Sequence, residues 1–499
     1  MTIKTPEQYA ESLKDGRVVY FEGERVEDVT THPYLRVGTE LCAMDYVFCN
    51  DPRYRSLFME QDEKGESHHF VFRPPESAED LLKRREIIQL MARTCNGMPG
   101  GAKFTGIDAL HAVTAACRGM DKELGSSYAP RVEAFRNMCE EKDAAVVVAM
   151  TDSKGDRSLR PSKQKPHQDY YVRIVDETRD GIVVRGAKAH ISGAPQCNEM
   201  IVMNCRAMRE DDKDYAVAFA IPPNTKGITL IAPAPELVEE GNYFDYPIVS
   251  RLYAADALVI FDDVFVPMDR VFMKGEWQFA GSFAYMFGNF HRLSSDSYKA
   301  AELEILVGAA ALIAEYNGLE KSPLIQDKLS WLIWYAETTE ALGKAACQNC
   351  VTDPGSGVAH PNPMISNAAK FFFADNYHQA LKLIQDIAGG LVATIPSSKD
   401  YFNPETHDLI DKYLGGKEGV PTEHRMRVVK LVKDLSCIWH MVATLHAEGS
   451  LSAQRLSFFN LCDLDRYKGA AKRAAGIEDG KEHPLYSSLP RFPTWTWKR

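Results

Sequence analysis

Hydrophobic and polar positions along the chain change their spacing twice. In the first 145 residues apolar positions recur at helical spacing, as in SAEDLLKRREIIQLMART, where a serine and acidic residues mark a helix start. From residue 146 to about 275 the period drops to two, and β-branched residues fill segments such as GIVVRGAKAH and ALVIFDDVFVP. Beyond Phe283 the helical spacing returns over four long segments.

This order predicts an α+β protein. We place an N-terminal helical domain at 1–145, a middle β domain at 146–275 and a C-terminal four-helix bundle at 276–478. Residues 479–499 are rich in proline and aromatic residues, and we expect them to form an extension laid across a surface.

Composition narrows the classes of partner. The chain has 499 residues and a formal net charge of −11, which argues against nucleic-acid and anionic-membrane surfaces, because both need a basic face. The N-terminus lacks the apolar core of a secretory signal, and no run approaches the roughly 18 apolar residues of a membrane span. Eleven scattered cysteines suit a reducing compartment. We therefore expect a cytoplasmic protein that binds small molecules or proteins.

The stretch AMTDSKGDRSLRPSKQ, residues 149–164, concentrates charge directly after an apolar, strand-like run. Most charged, glycine-containing segments between apolar runs are surface turns. The alternative is an anion site, since backbone N–H groups and a guanidinium can together bind a pyrophosphate, and Gly155 allows close approach of the backbone. The stretch by itself leaves both interpretations open.

Longer motifs resemble those of a known family. MTDSKGDRS, RGAKAHISGAPQCNEMIVM and FDDVFVP are similar to the middle domain of acyl-CoA dehydrogenase-fold flavoproteins. Within that fold they resemble the branch that holds the 4-hydroxyphenylacetate 3-hydroxylases and 4-hydroxybutyryl-CoA dehydratase. The resemblance extends over about residues 5–475. It implies an acyl-CoA dehydrogenase-like fold in which the middle domain is a β-barrel. It also implies FAD used as FADH2, and a homo-oligomer, expected to be a homotetramer.

The resemblance also implies a set of FAD contacts. They are Met150, Thr151, Lys154, Gly155, Asp156, Arg157, Ser192, Asp386, Gly389, Gly390, Gly449 and Ser450. A hydroxyl at Ser192 would hydrogen-bond the flavin ring and tune its electronics. The segment 386–390 approaches FAD from a neighbouring subunit in relatives, although by itself it is an ordinary glycine helix end.

Departures from the dehydratase pattern bear on the chemistry. That enzyme holds an iron–sulfur cluster through three cysteines and a histidine, and thiolates are the natural ligands of such clusters. The matching positions here are Gly100, Phe104, His291 and Tyr298. The dehydratase's catalytic acidic residues and tyrosine are replaced by Asp256, Ala443 and Ser295. We therefore expect no iron–sulfur cluster, no metal and no dehydration by that route.

The hydroxylase pattern is incomplete as well. Phenol hydroxylases of the family bind the phenolic oxygen through an RTPDY-like segment and a histidine, and the matching places here are near Thr105 to Ala109, and Val148. Other side chains must then bind the substrate, for which we expect Phe104, Thr105, Arg292, Ser295 and Tyr298. Histidine suits acid–base work near neutral pH, so the catalytic candidates are His291, His190, His446 and Lys299. Glu448 is a further candidate for binding the substrate. A lone histidine on a helix is more often a satisfied structural group.

Three functions fit these observations. The first is a two-component flavin monooxygenase, which takes FADH2 from a separate reductase and uses O2 to hydroxylate an aromatic or related small organic substrate; the chain has no GxGxxG fingerprint after a strand. The second is a cluster-free acyl-CoA dehydratase, isomerase or dehydrogenase, which overall similarity favours. The third is a flavin-binding homologue without activity. We favour the monooxygenase.

Overall fold

The structure is a computed structural model in which helices precede and follow a block of strands, as the sequence predicts. The helices are α1 (Pro6–Glu11), α2 (Leu35–Asn50), α3 (Arg55–Phe58), α4 (Ala78–Thr94), α5 (Thr105–Leu124), α6 (Ala129–Glu141), α7 (Ala280–Tyr316), α8 (Pro323–Gln348), α9 (Pro363–Ala388), α10 (Leu391–Thr394), α11 (Ser398–Tyr401), α12 (His407–Tyr413), α13 (Thr422–Cys437), α14 (Leu451–Leu461) and α15 (Leu464–Ala474).

The strands lie mostly between residues 146 and 274. They are β1 (Val19–Phe21), β2 (Glu24–Val26), β3 (Met59–Gln61), β4 (Ser67–His69), β5 (Val146–Ala149), β6 (Arg173–Glu177), β7 (Gly181–Ser192), β8 (Glu199–Val202), β9 (Val217–Ile221), β10 (Ile228–Ala232), β11 (Asp256–Pro267), β12 (Val271–Lys274), β13 (Val351–Thr352) and β14 (Ala359–His360). The structure describes residues 3–61, 65, 67–98, 100–234, 242–251, 255–437, 445, 447–475 and 477. His446, Ala443 and the tail 479–499 lie outside the described residues.

Local sequence explains where the N-terminal helices begin and end. Ser77 caps α4, because its hydroxyl accepts a hydrogen bond from the Asp80 backbone N–H at 3.2 Å. α5 ends at Gly125, whose φ of 67° is a left-handed conformation that glycine adopts without strain. Residues 106–117 of α5 are buried without interruption. Polar side chains on this helix must therefore find partners inside the protein.

The middle strands form two sheets rather than the predicted closed barrel. The larger sheet has the order β2-β1-β10-β11-β7-β6, and the smaller has the order β12-β9-β8-β5. Each keeps two edge strands within the described part of the chain, so neither closes on itself. The larger sheet also includes β1 and β2, which lie in the predicted helical region. They are not predicted from the sequence, because strands of three residues are too short to show a period of two. The domain boundaries stay a prediction.

α7 joins the two helical regions. It is 37 residues long and packs against α4 and α5 as well as α8, α9 and α13. The last three helices belong to the predicted bundle, in which the Tyr335 hydroxyl donates to the Phe373 carbonyl at 2.6 Å. Polar side chains in the middle of α7, between residues 294 and 299, are buried on every side. No helix in the described ranges is both long and apolar enough to cross a membrane.

Candidate functional site

The charged stretch after β5 is folded around a buried ion pair. The Lys188 ammonium on β7 lies 2.7 Å from Asp152 Oδ1, and both side chains are almost fully buried. The same ammonium donates to the carbonyls of Met150 at 2.9 Å and Met203 at 2.8 Å, which follow β5 and β8. Lys188 therefore joins the ends of two strands of the smaller sheet to a strand of the larger one, and fixes the position of the turn that follows.

Gly155 is required by the shape of that turn. Its φ is 52°, next to Lys154 at 73°, and a Cβ here would lie 2.5 Å from Gln164 Oε1 and 2.6 Å from the Tyr170 ring. Gln164 holds the turn from inside, because it accepts from the Asp156 N–H at 3.0 Å and donates to the Asp156 carbonyl at 2.7 Å. The close approach that Gly155 allows is thus an approach between the turn and the Gln164 and Tyr170 side chains of the protein itself.

Some charges of the stretch are engaged within the protein, and the Arg157 guanidinium is open. The Asp156 carboxylate accepts from the Ser158 N–H at 2.9 Å, and the Arg160 guanidinium pairs with Asp212. Arg157 is exposed and has no hydrogen-bond or ion-pair partner among the residues that the structure describes. An unengaged guanidinium beside a left-handed backbone turn fits an anionic group such as the pyrophosphate of FAD.

Ser192 and His190 lie beside this turn. The Ala189 N–H donates to the Thr151 carbonyl at 2.8 Å, which places the end of β7 next to the start of the stretch. The Ser192 hydroxyl donates to Asp256 Oδ1 at 2.5 Å, and burial raises the pKa of that carboxyl. His190 is exposed, with a φ of 61°. The structure thus brings together the predicted FAD residues at 150–157 and Ser192.

The two remaining predicted FAD segments are the end of α9 and the start of α14. Gly389 ends α9 with a φ of 75°, and the exposed Asp386 pairs with Lys328 at 2.5 Å. Ser450 caps α14, following Gly449 at a φ of 105°. No hydrogen bond or ion pair of the described residues joins either segment to 150–157. Their predicted role at a neighbouring subunit's cofactor stays a prediction.

His291 on α7 belongs to a second group of polar residues, which faces α5. Its Nδ1 lies 3.0 Å from Asp108 Oδ2. Asp108 Oδ1 accepts from Arg84 Nη2 at 2.6 Å and from the Ser294 hydroxyl at 2.8 Å. Burial opposes the charged form of Asp108, but Arg84 and His291 outweigh it and lower the pKa of this carboxyl. Asp108 is therefore a buried carboxylate.

Aromatic rings surround the His291 imidazole. Phe287 stacks on it with ring centroids 4.8 Å apart, and Phe104 meets it at 6.1 Å. Phe104 also lies 5.9 Å from the Tyr298 ring. The predicted substrate residue Phe104 thus stands between the two α7 side chains, and the His291 side chain keeps 14% of its surface exposed. Thr105 is half-buried at the start of α5.

Glu448 gathers three other predicted residues. Its carboxylate accepts from the Tyr298 hydroxyl at 2.7 Å and from the Ser295 hydroxyl at 3.0 Å, and it pairs with the buried Lys299. A second buried ammonium, Lys370, lies 3.7 Å away. Burial raises the pKa of Glu448, but the two lysines outweigh burial and hold it at about 2. Tyr298, Ser295 and Lys299 are therefore brought together, with their hydrogen bonds directed to Glu448.

Arg292, another predicted substrate residue, has no hydrogen-bond or ion-pair partner among the residues that the structure describes. Its Nε is fully buried without a hydrogen-bond partner, and burial lowers the pKa of the guanidinium. A Cβ on Gly288 would lie 3.8 Å from the guanidinium nitrogens, so the side chain runs back along α7. This side of the helix differs from the side that carries His291.

The residues at the positions of the dehydratase's cluster ligands do not fit an iron–sulfur cluster. Phe104, His291 and Tyr298 pack their rings together there, and a Cβ on Gly100 would lie 2.6 Å from Cys95 Sγ. Burial raises the pKa of this neighbouring thiol to about 12. In the described part of the chain no three His, Cys, Asp or Glu side chains form a group that could hold a metal ion.

The sequence interpretation missed Asp108 and Lys370. Asp108 follows Phe104 by one helical turn, and a lone acidic residue in the apolar segment GIDALHAV was the available signal. Lys370 interrupts the apolar run AAKFFF on α9, which is a comparable signal for a buried charge. Neither pattern names the partner, because the partners lie on other helices.

Residues 5–273 match the family described as 4-hydroxyphenylacetate 3-hydroxylase N terminal, and residues 280–476 match its C-terminal counterpart. The chain belongs to the 4-hydroxyphenylacetate 3-hydroxylase family. Family membership and the mixed arrangement of helices and sheets agree with the predicted acyl-CoA dehydrogenase-like architecture, apart from the closed barrel.

Relatives in this family have different activities. A 4-hydroxybutyryl-CoA dehydratase/vinylacetyl-CoA-Δ-isomerase from Clostridium aminobutyricum is 33% identical over 95% of this chain and 100% of its own. The oxygenase component of 4-hydroxyphenylacetate 3-monooxygenase from Thermus thermophilus is 30% identical over 87% of this chain and 88% of its own. A crystal structure of such an oxygenase component complexed with FAD has a TM-score of 0.87 and 27% identity, and it covers 97% of this chain and 100% of that one.

Proposed function

We propose that this chain is the FADH2-dependent oxygenase component of a two-component monooxygenase, and that it hydroxylates an aromatic or related small organic substrate. The observation that carries the proposal is the His291 imidazole, which is partly exposed between the rings of Phe104 and Phe287. Such a place suits a flat substrate whose hydroxyl meets a histidine. The related oxygenase components support it.

FAD would lie along the turn at 150–157. Arg157 and the backbone around Gly155 would hold its pyrophosphate, and Ser192 would meet the flavin ring. When bound and reduced, the flavin supplies the electrons that activate O2. Gly389, Gly390, Gly449 and Ser450 would complete the site from other segments of a cytoplasmic homotetramer, and a separate reductase would supply the reduced flavin.

His291 would act as the acid–base group. Asp108 engages its Nδ1, which leaves Nε2 for the substrate. Lys299 is fully buried and pairs with Glu448, and His190 is exposed near the end of β7. His291 is therefore the candidate that combines partial exposure, a fixed orientation and aromatic neighbours.

A second candidate is a cluster-free acyl-CoA enzyme, favoured by the 33% identity to the dehydratase over nearly the whole chain. Such an enzyme needs a base that removes a proton from carbon, and the low pKa of Glu448 makes that carboxylate a weak base. Asp256 has a raised pKa and would be the base in that case.

The test supplies the protein with FADH2 from a flavin reductase under ¹⁸O2, with a panel of phenols and, in parallel, hydroxyacyl- and enoyl-CoA thioesters. We expect ¹⁸O in the product of at least one phenol, and His291→Gln to lower the rate about 100-fold or more. Conversion of a thioester without ¹⁸O incorporation would establish the second candidate instead. Failure to retain FAD in either redox state would leave the flavin-binding proposal wrong.

A further inference from the structure

The carboxylate of Asp108 is bound more completely than a simple ion pair requires. Asp108 has no exposed surface, and three side chains from two other helices contact its carboxylate. Arg84 on α4 and Ser294 on α7 donate to it, and Nδ1 of His291 on α7 lies 3.0 Å from it. Each oxygen has a separate duty, since Oδ1 serves Arg84 and Ser294 while Oδ2 faces His291 alone.

This division determines which ring nitrogen of His291 carries the proton. Arg84 lowers the pKa of the Asp108 carboxyl and so keeps it ionised. An ionised carboxylate can only accept hydrogen bonds. Contact with His291 at 3.0 Å therefore requires that Nδ1 be the donor. In the neutral imidazole, Nε2 is then left as the acceptor.

We infer that Asp108 is the positioning residue of this site: it fixes the His291 tautomer and ring orientation so that Nε2 takes the proton of a substrate hydroxyl. The inference rests on the proposed function for its catalytic consequence. The proton leaves the substrate oxygen and forms a bond to Nε2, which gives an imidazolium whose charge lies beside the Asp108 carboxylate. Arg84 and Ser294 hold that carboxylate in place.

Asp143 offers a matched control. Its carboxylate is equally buried, pairs with the buried Lys103 and accepts from the Lys4 N–H at 3.0 Å. It has no histidine partner among the described residues. Asp143→Asn therefore imposes a comparable loss of a buried ion pair without touching His291.

The test uses ¹⁵N-histidine-labelled protein, with the His291 signals assigned by their loss in His291→Gln. Wild type should show the Nδ1–H tautomer. Asp108→Asn should shift His291 toward Nε2–H, because the new amide can donate to Nδ1, and should lower kcat about 100-fold while KM changes less than about threefold. Asp143→Asn should leave the tautomer and the pH profile of kcat unchanged.

Arg84→Met/Asp108→Asn removes both charges together and serves if Asp108→Asn alone does not fold. An unchanged tautomer and unchanged pH profile in either Asp108 variant would overturn the inference. Absence of phenol hydroxylation together with the expected change of tautomer would overturn the proposed function and leave the assignment of Asp108 intact, because the ¹⁵N signals do not depend on turnover.

Discussion

Two buried lysine–carboxylate pairs in this protein differ in how their charges are balanced. Lys188 and Asp152 join the two sheets, and the ammonium completes its hydrogen bonds with two backbone carbonyls. In the bundle, Glu448 faces both Lys299 and Lys370. Burial and the neighbouring Lys299 lower the pKa of Lys370 well below its usual range.

The Lys188–Asp152 pair is a structural joint, whereas the group in the bundle holds two lysines against one carboxylate. The sheet pair has one cation, one anion and two backbone carbonyls as partners. The bundle group brings together α7, α9 and the segment before α14, and Glu448 enters it from a left-handed backbone with a φ of 62°. A non-glycine residue holds this conformation at a cost of about 1–3 kcal/mol, which the buried hydrogen bonds of its side chain offset.

Lys188→Met is expected to have the largest effect on stability. It leaves the Asp152 carboxylate buried without its cation, and we expect the free energy of unfolding to fall by about 3–5 kcal/mol. Urea unfolding measures this change. The double variant Lys188→Met/Asp152→Asn should recover part of the loss, and equal losses in the single and double variants would show that the pair itself is not the joint.

Glu448→Gln should have a somewhat smaller effect that depends on pH. A pKa of about 2 against the usual 4.5 corresponds to about 3 kcal/mol of stability. Because the folded-state pKa is lowered, this contribution is complete above about pH 5 and is lost as the pH falls toward 2. Wild type should therefore lose stability more steeply than Glu448→Gln across that window in urea titrations. Parallel pH profiles would contradict the low pKa.

Gly155→Ala should have the smallest effect on stability and a clear effect on the cofactor. The added Cβ meets Gln164 and Tyr170 at a positive φ, and we expect a loss of about 1–2 kcal/mol. The Lys188–Asp152 joint stays intact, so this variant separates the turn from the joint. FAD affinity, measured by fluorescence titration, should fall about tenfold or more; unchanged affinity would remove the turn from the proposed FAD site.

Much of the fold could be predicted from the chain because its signals are local. The Ser77 cap and the glycine end of α9 depend on residues within one turn. The closed barrel was a wrong prediction, since the strands form two sheets. Strand pairing joins residues that are far apart in the chain, as where β1 at 19–21 pairs with β10 at 230–232, and no local pattern specifies such a contact.

The candidate site divides in the same way. Ser295, Tyr298 and Lys299 lie one or two turns from His291 on α7, so helical spacing together with the resemblance brought them into one group. Their partner Glu448 and the carboxylate of Asp108 could not be assigned, because side-chain packing between helices decides which carboxylate meets which donor. Helical turns that carry similar charges cannot be told apart from the sequence alone.

α7 also constrains how such a protein can change over evolutionary time. A helix rises about 1.5 Å per residue, so His291 and Lys299 are held about 12 Å apart along a rod that cannot be stretched or shortened locally. An insertion between them would rotate every later side chain by about 100° and bury the wrong faces. New chemistry in this fold therefore comes from exchanging side chains at fixed positions of the helix. Relatives with different activities can share nearly the whole backbone.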